Sequence, residues 1–231
     1  MKNIAIILAS GSGKRAGFDL PKQFQKIKDK TICEISIEAF EKNEGINEII
    51  LVVNEQYKVL LDEIVAKNNY KKITKIVFGG AERIDSSRNG VFAIDEEESN
   101  ILIHDCVRPF VSQRIINDCI NALNNHSAVD VAANVTDTIF IVENNIMKEI
   151  PPRRFLKKSQ TPQCFKLSLI KKAHKLAQNE KNIEFTDDCG LILRYNLTDI
   201  FIVEGEEQNI KITYKDDMLL AEDIYARNLL P

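Results

Sequence analysis

The fold class this sequence predicts is an α/β domain, with a mostly parallel sheet covered by helices on both faces, and three observations predict it. Short, β-branched apolar runs recur at 4–8, 48–53, 73–78, 100–104, 129–135 and 199–203, with stretches of helical spacing between them. The first run empties directly into Ala9-Ser10-Gly11-Ser12-Gly13-Lys14-Arg15, and in such sheets ligands bind beyond the carboxyl ends of strands. The 231 residues suffice for one large domain with a substantial core, and no Pro/Gly/Ser-rich linker divides residues 1–231.

Taken in order, residues 4–8 form a buried parallel strand. Ile32, Ile35, Ala39 and Phe40 then mark an amphipathic helix, and Ile116, Cys119, Ile120 and Leu123 another; both stripes are core. After the fifth run the alternation breaks. Residues 138–142 and 146–150 form a hairpin joined at Glu143-Asn144-Asn145, followed by Pro151-Pro152-Arg153-Arg154. A lone hairpin is marginally stable in water, so this projecting arm, about residues 137–160, is expected to pack against something such as a second subunit.

Composition narrows the function classes. The formal charge of −3 mixes 31 basic with 34 acidic residues, without the long basic run a nucleic-acid groove needs. No apolar stretch approaches the length of a membrane span, and the N-terminus runs straight into a strand with no cleavage-site pattern. The five cysteines are scattered and lack C-x-x-C spacing, which argues against a disulfide framework or zinc site and for a reducing cytoplasm.

The Gly/Ser loop is an anion cradle. Its backbone N–H groups can approach a phosphate without Cβ obstruction. Lys14, Arg15 and, from Pro21-Lys22-Gln23-Phe24, Lys22 add the positive charge that suits a nucleoside triphosphate. A P-loop fails here, because Leu8 stands where its first Gly belongs and Arg15 where its Ser/Thr belongs. Gly11-Ser12-Gly13-Lys14-Arg15-Ala16 formally fits the dinucleotide fingerprint, with Glu55 as the ribose acid. Glu55 lies much further on than the usual ~20 residues, and two adjacent cations exceed what a dinucleotide requires, so an NAD-dependent oxidoreductase is a lesser alternative.

Three further segments follow strands. Gly79-Gly80-Ala81-Glu82-Arg83-Ile84-Asp85-Ser86-Ser87 permits close backbone approach, and Ser86 can bond a base edge; an ordinary turn and helix cap reads equally well. His104-Asp105-Cys106-Val107-Arg108 offers Asp105 as a Mg²⁺ ligand and Arg108 as a bidentate phosphate partner, against an internal Asp105–Arg108 pair that only fixes the turn. His104 fits a structural histidine better than a base. Asp187-Asp188 reads as an N-cap and first-turn acid, while Lys211, mid-strand between Ile210 and Ile212, is costly unless an anion meets it.

Together and in this order, these motifs resemble the cytidylyltransferases that activate polyol phosphates with CTP. The loop, Pro21–Phe24 motif, Gly79-Gly80 with Arg83 and Asp85-Ser86, His104-Asp105 with Arg108-Pro109, Asp137-Thr138, Gln160-Thr161-Pro162-Gln163, Thr186-Asp187 and Asn209-Ile210-Lys211 carry the likeness. The resemblance implies a Rossmann-like three-layer nucleotidyltransferase fold whose hairpin is a dimerisation arm. It implies that Gly11, Lys14, Arg15 and Lys22 hold the CTP phosphates, with Ser10 and Gly13 in the same loop. Ala9, Gly80, Ala81 and Ser86 would read cytosine, and Asp105 would serve the metal-bound phosphates. Arg108, Thr138, Thr161, Thr186 and Lys211 would line the polyol-phosphate side, with Arg153, substituted or assisted by its neighbour Arg154, contributed by the other subunit of a homodimer. Ser10, Ala16 and Cys106 depart from the family's commonest residues, at small or flanking positions.

Two branches of that family handle 2-C-methyl-D-erythritol 4-phosphate and D-ribitol 5-phosphate. Ile150-Pro151-Pro152-Arg153 and Val107-Arg108-Pro109-Phe110 resemble the ribitol branch, whereas Phe185-Thr186-Asp187-Asp188 resembles the methylerythritol branch; the balance favours ribitol 5-phosphate. The implied catalytic set is Lys14, Arg15, Lys22 and Lys211 with Mg²⁺. A catalytically silent nucleotide-binding homologue is the alternative of another class, and the presence of Lys22 together with Lys211 argues against it.

Overall fold

The structure is a computed structural model and describes residues 1–11, 20–95, 97–180 and 187–228. Strand β1 (Lys2–Ala9) leads to a 3-10 turn (Lys22–Phe24), a small antiparallel pair β2 (Lys26–Ile27) and β3 (Lys30–Thr31), and helix α1 (Ile32–Glu41). Then come β4 (Glu48–Val53), α2 (Lys58–Asn68), β5 (Ile73–Phe78), α3 (Arg83–Phe92), β6 (Ser99–Asp105), α4 (Gln113–Ala122) and β7 (Ala128–Asn134). The hairpin β8 (Ile141–Glu143) and β9 (Ile146–Glu149) precedes β10 (Lys157–Ser159), β11 (Gln163–Lys166), α5 (Leu167–Ala177), α6 (Asp188–Arg194), β12 (Phe201–Glu204) and α7 (Asp217–Asn228).

The main sheet runs β5-β4-β1-β6-β11-β7, with β10 beside β11 along one side of β7 and β12 on the other. Strands β1, β4, β5 and β6 are mutually parallel, as is the pair β7 and β12; β10 and β11 run against their neighbours. The expected α/β fold is therefore present, and strand order reverses between β1 and β6. The carboxyl ends of those two strands form the crevice where such sheets bind ligands.

Alternation along β1 explains the two core layers. Ala5, Ile7 and Ala9 face α1 and α4 through Cys33, Ile37, Phe40, Ile116 and Cys119, while Ile4, Ile6 and Leu8 face α3, α5 and α6 through Val91, Ile170 and Leu191. A smaller cluster of Ile27, Ile32, Phe110, Ile212 and Ile224 seats α7 beside β2 and β3. Of the expected α1 stripe Ile32 and Phe40 are fully buried and Ile35 and Ala39 are half-buried against the core, and Cys33 and Ile37 join the buried face. The helix begins at a Thr31–Glu34 capping box, which satisfies two of its first backbone donors.

The hairpin is shorter than expected. Asn144 and Asn145 have φ of 51° and 62°, the left-handed pair that a two-residue turn requires, so Glu143 pairs with Ile146 rather than sitting in the loop. Segment 157–159, expected in the arm, instead pairs with β7 in the main sheet. Ile139, Phe140, Ile141, Val142, Ile146 and Met147 of the arm are all exposed. No helix among the described residues is long and apolar enough to cross a membrane.

Candidate functional site

Beyond β1, the backbone of Ala9 to Gly11 is held by one side chain. Gln23, buried on the 3-10 turn, donates its Nε2 to Ala9 O at 2.7 Å and Gly11 O at 2.8 Å. The same turn carries Lys22, whose Nζ lies 3.4 Å from Thr213 O. Gly13, Lys14, Arg15 and Thr186, all expected here, lie outside the described residues.

The Gly79–Gly80 segment is pressed against that loop. Ser10 Oγ donates to Ser86 Oγ at 2.8 Å, and Ser86 Oγ accepts Gly80 N–H and donates to Glu82 O, both at 3.1 Å. A Cβ on Gly79 would come within 2.4 Å of Ser10 Cβ, and one on Gly80 within 2.2 Å of Asp85 Cβ. Glycine is required here by contact with the protein's own chain. Ser86, expected to bond a base edge, is buried with its hydroxyl donated to Glu82 O; Gly80 and Ala81 are the exposed members.

Asp105 ends β6 with its carboxylate between two cations. Arg83 Nε donates to Oδ1 at 2.9 Å and Lys211 Nζ to Oδ2 at 2.7 Å. Burial alone would raise its pKa, but the two cations outweigh burial and hold it well below the usual carboxylate range. Arg83 also donates Nη1 to the fully buried Asp188 at 2.8 Å. There burial is outweighed by Arg83, with help from His174 and Ser87, and Asp188 is brought down to about 2. Asp187 is the expected N-cap, accepting Gly190 N–H at 2.8 Å, whereas Asp188 is part of this ionic chain.

Sequence reasoning did not single out Arg83 as a site residue. A signal existed: it is the first residue of α3, where a cation opposes the helix dipole and needs an anion nearby. Nor does the internal Asp105–Arg108 pair form. Arg108 donates to Asn209 O at 2.9 Å and Ser159 O at 3.2 Å, and has no carboxylate partner among the described residues. Burial lowers its pKa against the opposing pull of Asp105 and Asp130, and its guanidinium lines the crevice. Lys211 is not in a strand and is exposed; the anion that meets it is Asp105.

His104 is fully buried and structural. Thr161 Oγ1 lies 2.9 Å from its Nδ1, and its Nε2 lies 3.0 Å from Arg108 O. Burial pushes its pKa down to about 4, so it is neutral at pH 7. Thr161 also accepts Asp105 N–H at 3.2 Å, so its hydroxyl fixes Asp105 and His104 together.

These groups surround a cavity of about 140 Å³. Arg83, Arg108 and Lys211 supply its cations, Asp105 and Asp187 its acids, and Ser159, Gln160, Thr161 and Gln163 its neutral polar wall. Thr138 and Arg153 do not line it: they sit together on the exposed arm, with Arg153 Nη2 at 3.5 Å from Thr138 Oγ1. A larger cleft of about 460 Å³ along α5 is lined by Lys171, Lys172 and Lys175. It holds none of the expected site residues. No group of three or more His, Cys, Asp or Glu able to cage a metal ion occurs among the described residues. Asp105 suits a shared ion instead, since Mg²⁺ commonly takes one carboxylate and completes its shell with substrate phosphates and water.

The sequence profile described as IspD, 2-C-methyl-D-erythritol 4-phosphate cytidylyltransferase, matches residues 3–227. The chain is 40% identical over 229 residues to the bifunctional ribulose 5-phosphate reductase/CDP-ribitol pyrophosphorylase Bcs1 of Haemophilus influenzae. That match covers 97% of this chain and 48% of the relative, so the chain spans about half the relative's length. It is 42% identical over 223 residues to the 2-C-methyl-D-erythritol 4-phosphate cytidylyltransferase of Thermosipho melanesiensis, covering 94% of this chain and 95% of that one. Among solved structures, 4-diphosphocytidyl-2C-methyl-D-erythritol synthase from Anaerococcus prevotii superposes with a TM-score of 0.87 at 30% identity, covering 98% of this chain and 96% of that one.

Proposed function

The chain belongs to the 2-C-methyl-D-erythritol 4-phosphate cytidylyltransferase (IspD) family and is a CTP-dependent nucleotidyltransferase, and within that activity we propose that its acceptor is D-ribitol 5-phosphate. The observation that carries this reading is the cavity wall: every described residue lining it is polar or charged. Ribitol 5-phosphate offers a phosphate and an unbranched chain of hydroxyls. The methylerythritol acceptor carries a methyl branch, which gains most against an apolar surface. The Haemophilus relative, named as a CDP-ribitol pyrophosphorylase, supports the ribitol reading; the Thermosipho relative's name supports the methylerythritol acceptor as the second reading.

In the proposed reaction a phosphate oxygen of the acceptor attacks the α-phosphorus of CTP. The new O–P bond forms as the bond to the β-phosphate oxygen breaks, pyrophosphate leaves, and a CDP-polyol results. The nucleophile is already anionic at neutral pH, so positioning and charge neutralisation suffice without a strong base. Arg108, held by two carbonyls with no carboxylate in hydrogen-bond contact among the described residues, is assigned to the acceptor phosphate. Lys211, on the surface of the cavity beside Asp105, is assigned to the charge growing at the α-phosphate. Lys22, with Lys14 and Arg15 from the same motifs, is assigned to the leaving pyrophosphate, and Ala9, Ser10, Gly11, Gly80 and Ala81 to the nucleotide. Thr161 and Ser86 act behind these groups, keeping Asp105 and the Gly80 loop in place.

Asp105 is assigned as the protein ligand of Mg²⁺ shared with the triphosphate. When bound, the ion would add Lewis-acid neutralisation of phosphate charge. A homodimer is proposed in which the arm brings Arg153 and Thr138 to the partner's acceptor site; the exposed apolar residues of the arm support it. A reducing cytoplasm is the proposed setting, supported by five cysteines that are all free and buried.

Competition tests the acceptor assignment. With CTP and equal concentrations of D-ribitol 5-phosphate and 2-C-methyl-D-erythritol 4-phosphate, product masses are expected to show CDP-ribitol in clear excess. A predominance of the methylerythritol product would overturn the ribitol reading.

A further inference from the structure

Asp130 lies on β7 at 8% exposure, and nothing in the reaction described above uses it. It interrupts a strand whose other buried residues, on its two faces, are Ala128, Val129, Val131, Ala132 and Ala133. A carboxylate there is costly unless its hydrogen bonds organise something. Its two side-chain partners are both in the cavity wall. Ser159 donates its hydroxyl to Oδ2 at 3.0 Å, and Gln163 donates Nε2 to Oδ1 at 3.2 Å.

Those two bonds decide what the wall offers. Gln163 gives its other Nε2 hydrogen to Asp187 Oδ2 at 3.1 Å and accepts Asp188 N–H on Oε1 at 3.0 Å, so the amide has no donor left. Ser159 has one O–H, and with it directed to Asp130 only its lone pairs remain. Asp187 adds further acceptor capacity beyond its cap to Gly190. This side of the cavity therefore presents acceptors, while Arg83, Arg108 and Lys211 present donors elsewhere on its lining. A polyol phosphate has the complementary polarity: an anionic end for the cations and a row of hydroxyl donors for the acceptor wall.

We infer that Asp130 is a positioning residue that sets acceptor specificity, holding Ser159 and Gln163 so that the wall favours an unbranched, fully hydroxylated chain over a methyl-branched one. This inference rests on the polyol-phosphate reading of the site. Asparagine at 130 would carry an NH₂ in place of one carboxylate oxygen. That NH₂ would meet either the Ser159 hydroxyl, forcing it to turn, or the Gln163 amide donor, breaking the chain to Asp187. Either way a donor or an unpaired group enters the wall.

The test uses the full-length protein with CTP, and compares wild type, Asp130→Asn and Ser159→Ala. kcat and KM are measured separately for D-ribitol 5-phosphate and for 2-C-methyl-D-erythritol 4-phosphate. In Asp130→Asn the ratio of kcat/KM for ribitol over methylerythritol acceptor is expected to fall about tenfold, mainly through KM for the ribitol acceptor, with KM for CTP within about twofold of wild type. Ser159→Ala, at an exposed position, is expected to move the ratio in the same direction without threatening the fold. A ratio unchanged in both variants, or an equal loss with both acceptors, would overturn the inference. If the wild type prefers the methylerythritol acceptor, the ribitol reading fails, and the ratio shift in the variants still decides the role of Asp130.

Discussion

Arg83 holds two acids at once, Asp105 in the cavity and Asp188 in the core behind it, and that doubling explains why a single cation matters at this site. Removing it would leave Asp105 with Lys211 alone and Asp188 with only Ser87 and His174 beside it, and breaking a buried pair typically costs about 3–5 kcal/mol. Asp130 is the opposite case. No cation donates to it; burial chiefly, with Asp187 adding repulsion, raises its pKa to about 6 from 3.8. Folding therefore strengthens its hold on a proton, so the ionised group destabilises the fold above pH 6, and the penalty is relieved as pH falls from about 6 towards 4. Asp187, Arg108, Cys164 and Cys189 are the titratable groups around it, and Asn at 130 removes only the one titration. The difference in melting temperature, Asp130→Asn minus wild type, is expected to be more positive at pH 8 than at pH 5. Asp188, at about 2, and the still lower Asp105 stay charged across that window. His104, neutral down to about pH 4, is common to both proteins. A difference that is flat, or grows more positive on acidification, would contradict the raised pKa.

At the scale of elements, what could be read from the chain was what local pattern encodes. The apolar runs located β1, β4, β5, β6, β7 and β12 to within two residues at either end, because the central strands are buried on both faces and read as continuous apolar runs. Strand β11 carries no such signal: Gln163-Cys164-Phe165-Lys166 follows a proline and runs against both neighbours, a placement set by pairing partners 35 to 66 positions away. The segment 209–213 reads as a strand from its alternating Ile210, Lys211, Ile212, yet its backbone is held instead by Ile212 N–H to Val107 O at 2.9 Å. The same distinction runs through the site. Asp105, Arg108, Lys211, Gly80 and the start of the loop stand beside strand ends and were legible. Arg83 with Asp188, and Asp130 with Ser159 and Gln163, meet only through folding. A charge at 130 inside the run 129–135 was the visible clue to the second group, since a buried strand position seldom takes an unpaired acid.

For the whole molecule, strand reversal between β1 and β6 brings the nucleotide loop, the ionic chain and the C-terminal segment to one crevice, while the arm presents its apolar residues outward. If the partner's arm completes each acceptor site, two defects on different subunits should complement. Mixed Arg153→Ala and Lys22→Ala proteins, each poorly active alone, are expected to regain part of the activity once subunits exchange, because one site of each mixed dimer keeps both residues. Exchange without recovery, or a fully active monomer in dilute solution, would rule out the shared site.

The central claim is that cytidylyl transfer from CTP takes place where Asp105, Arg108 and Lys211 meet, and pyrophosphate release tests it most directly. The account predicts release that requires both CTP and D-ribitol 5-phosphate, is much slower with ATP, yields CDP-ribitol in equal amount, and falls about 10²-fold in kcat in Lys211→Ala. Equal turnover with ATP, or a Lys211→Ala protein as fast as wild type, would contradict it.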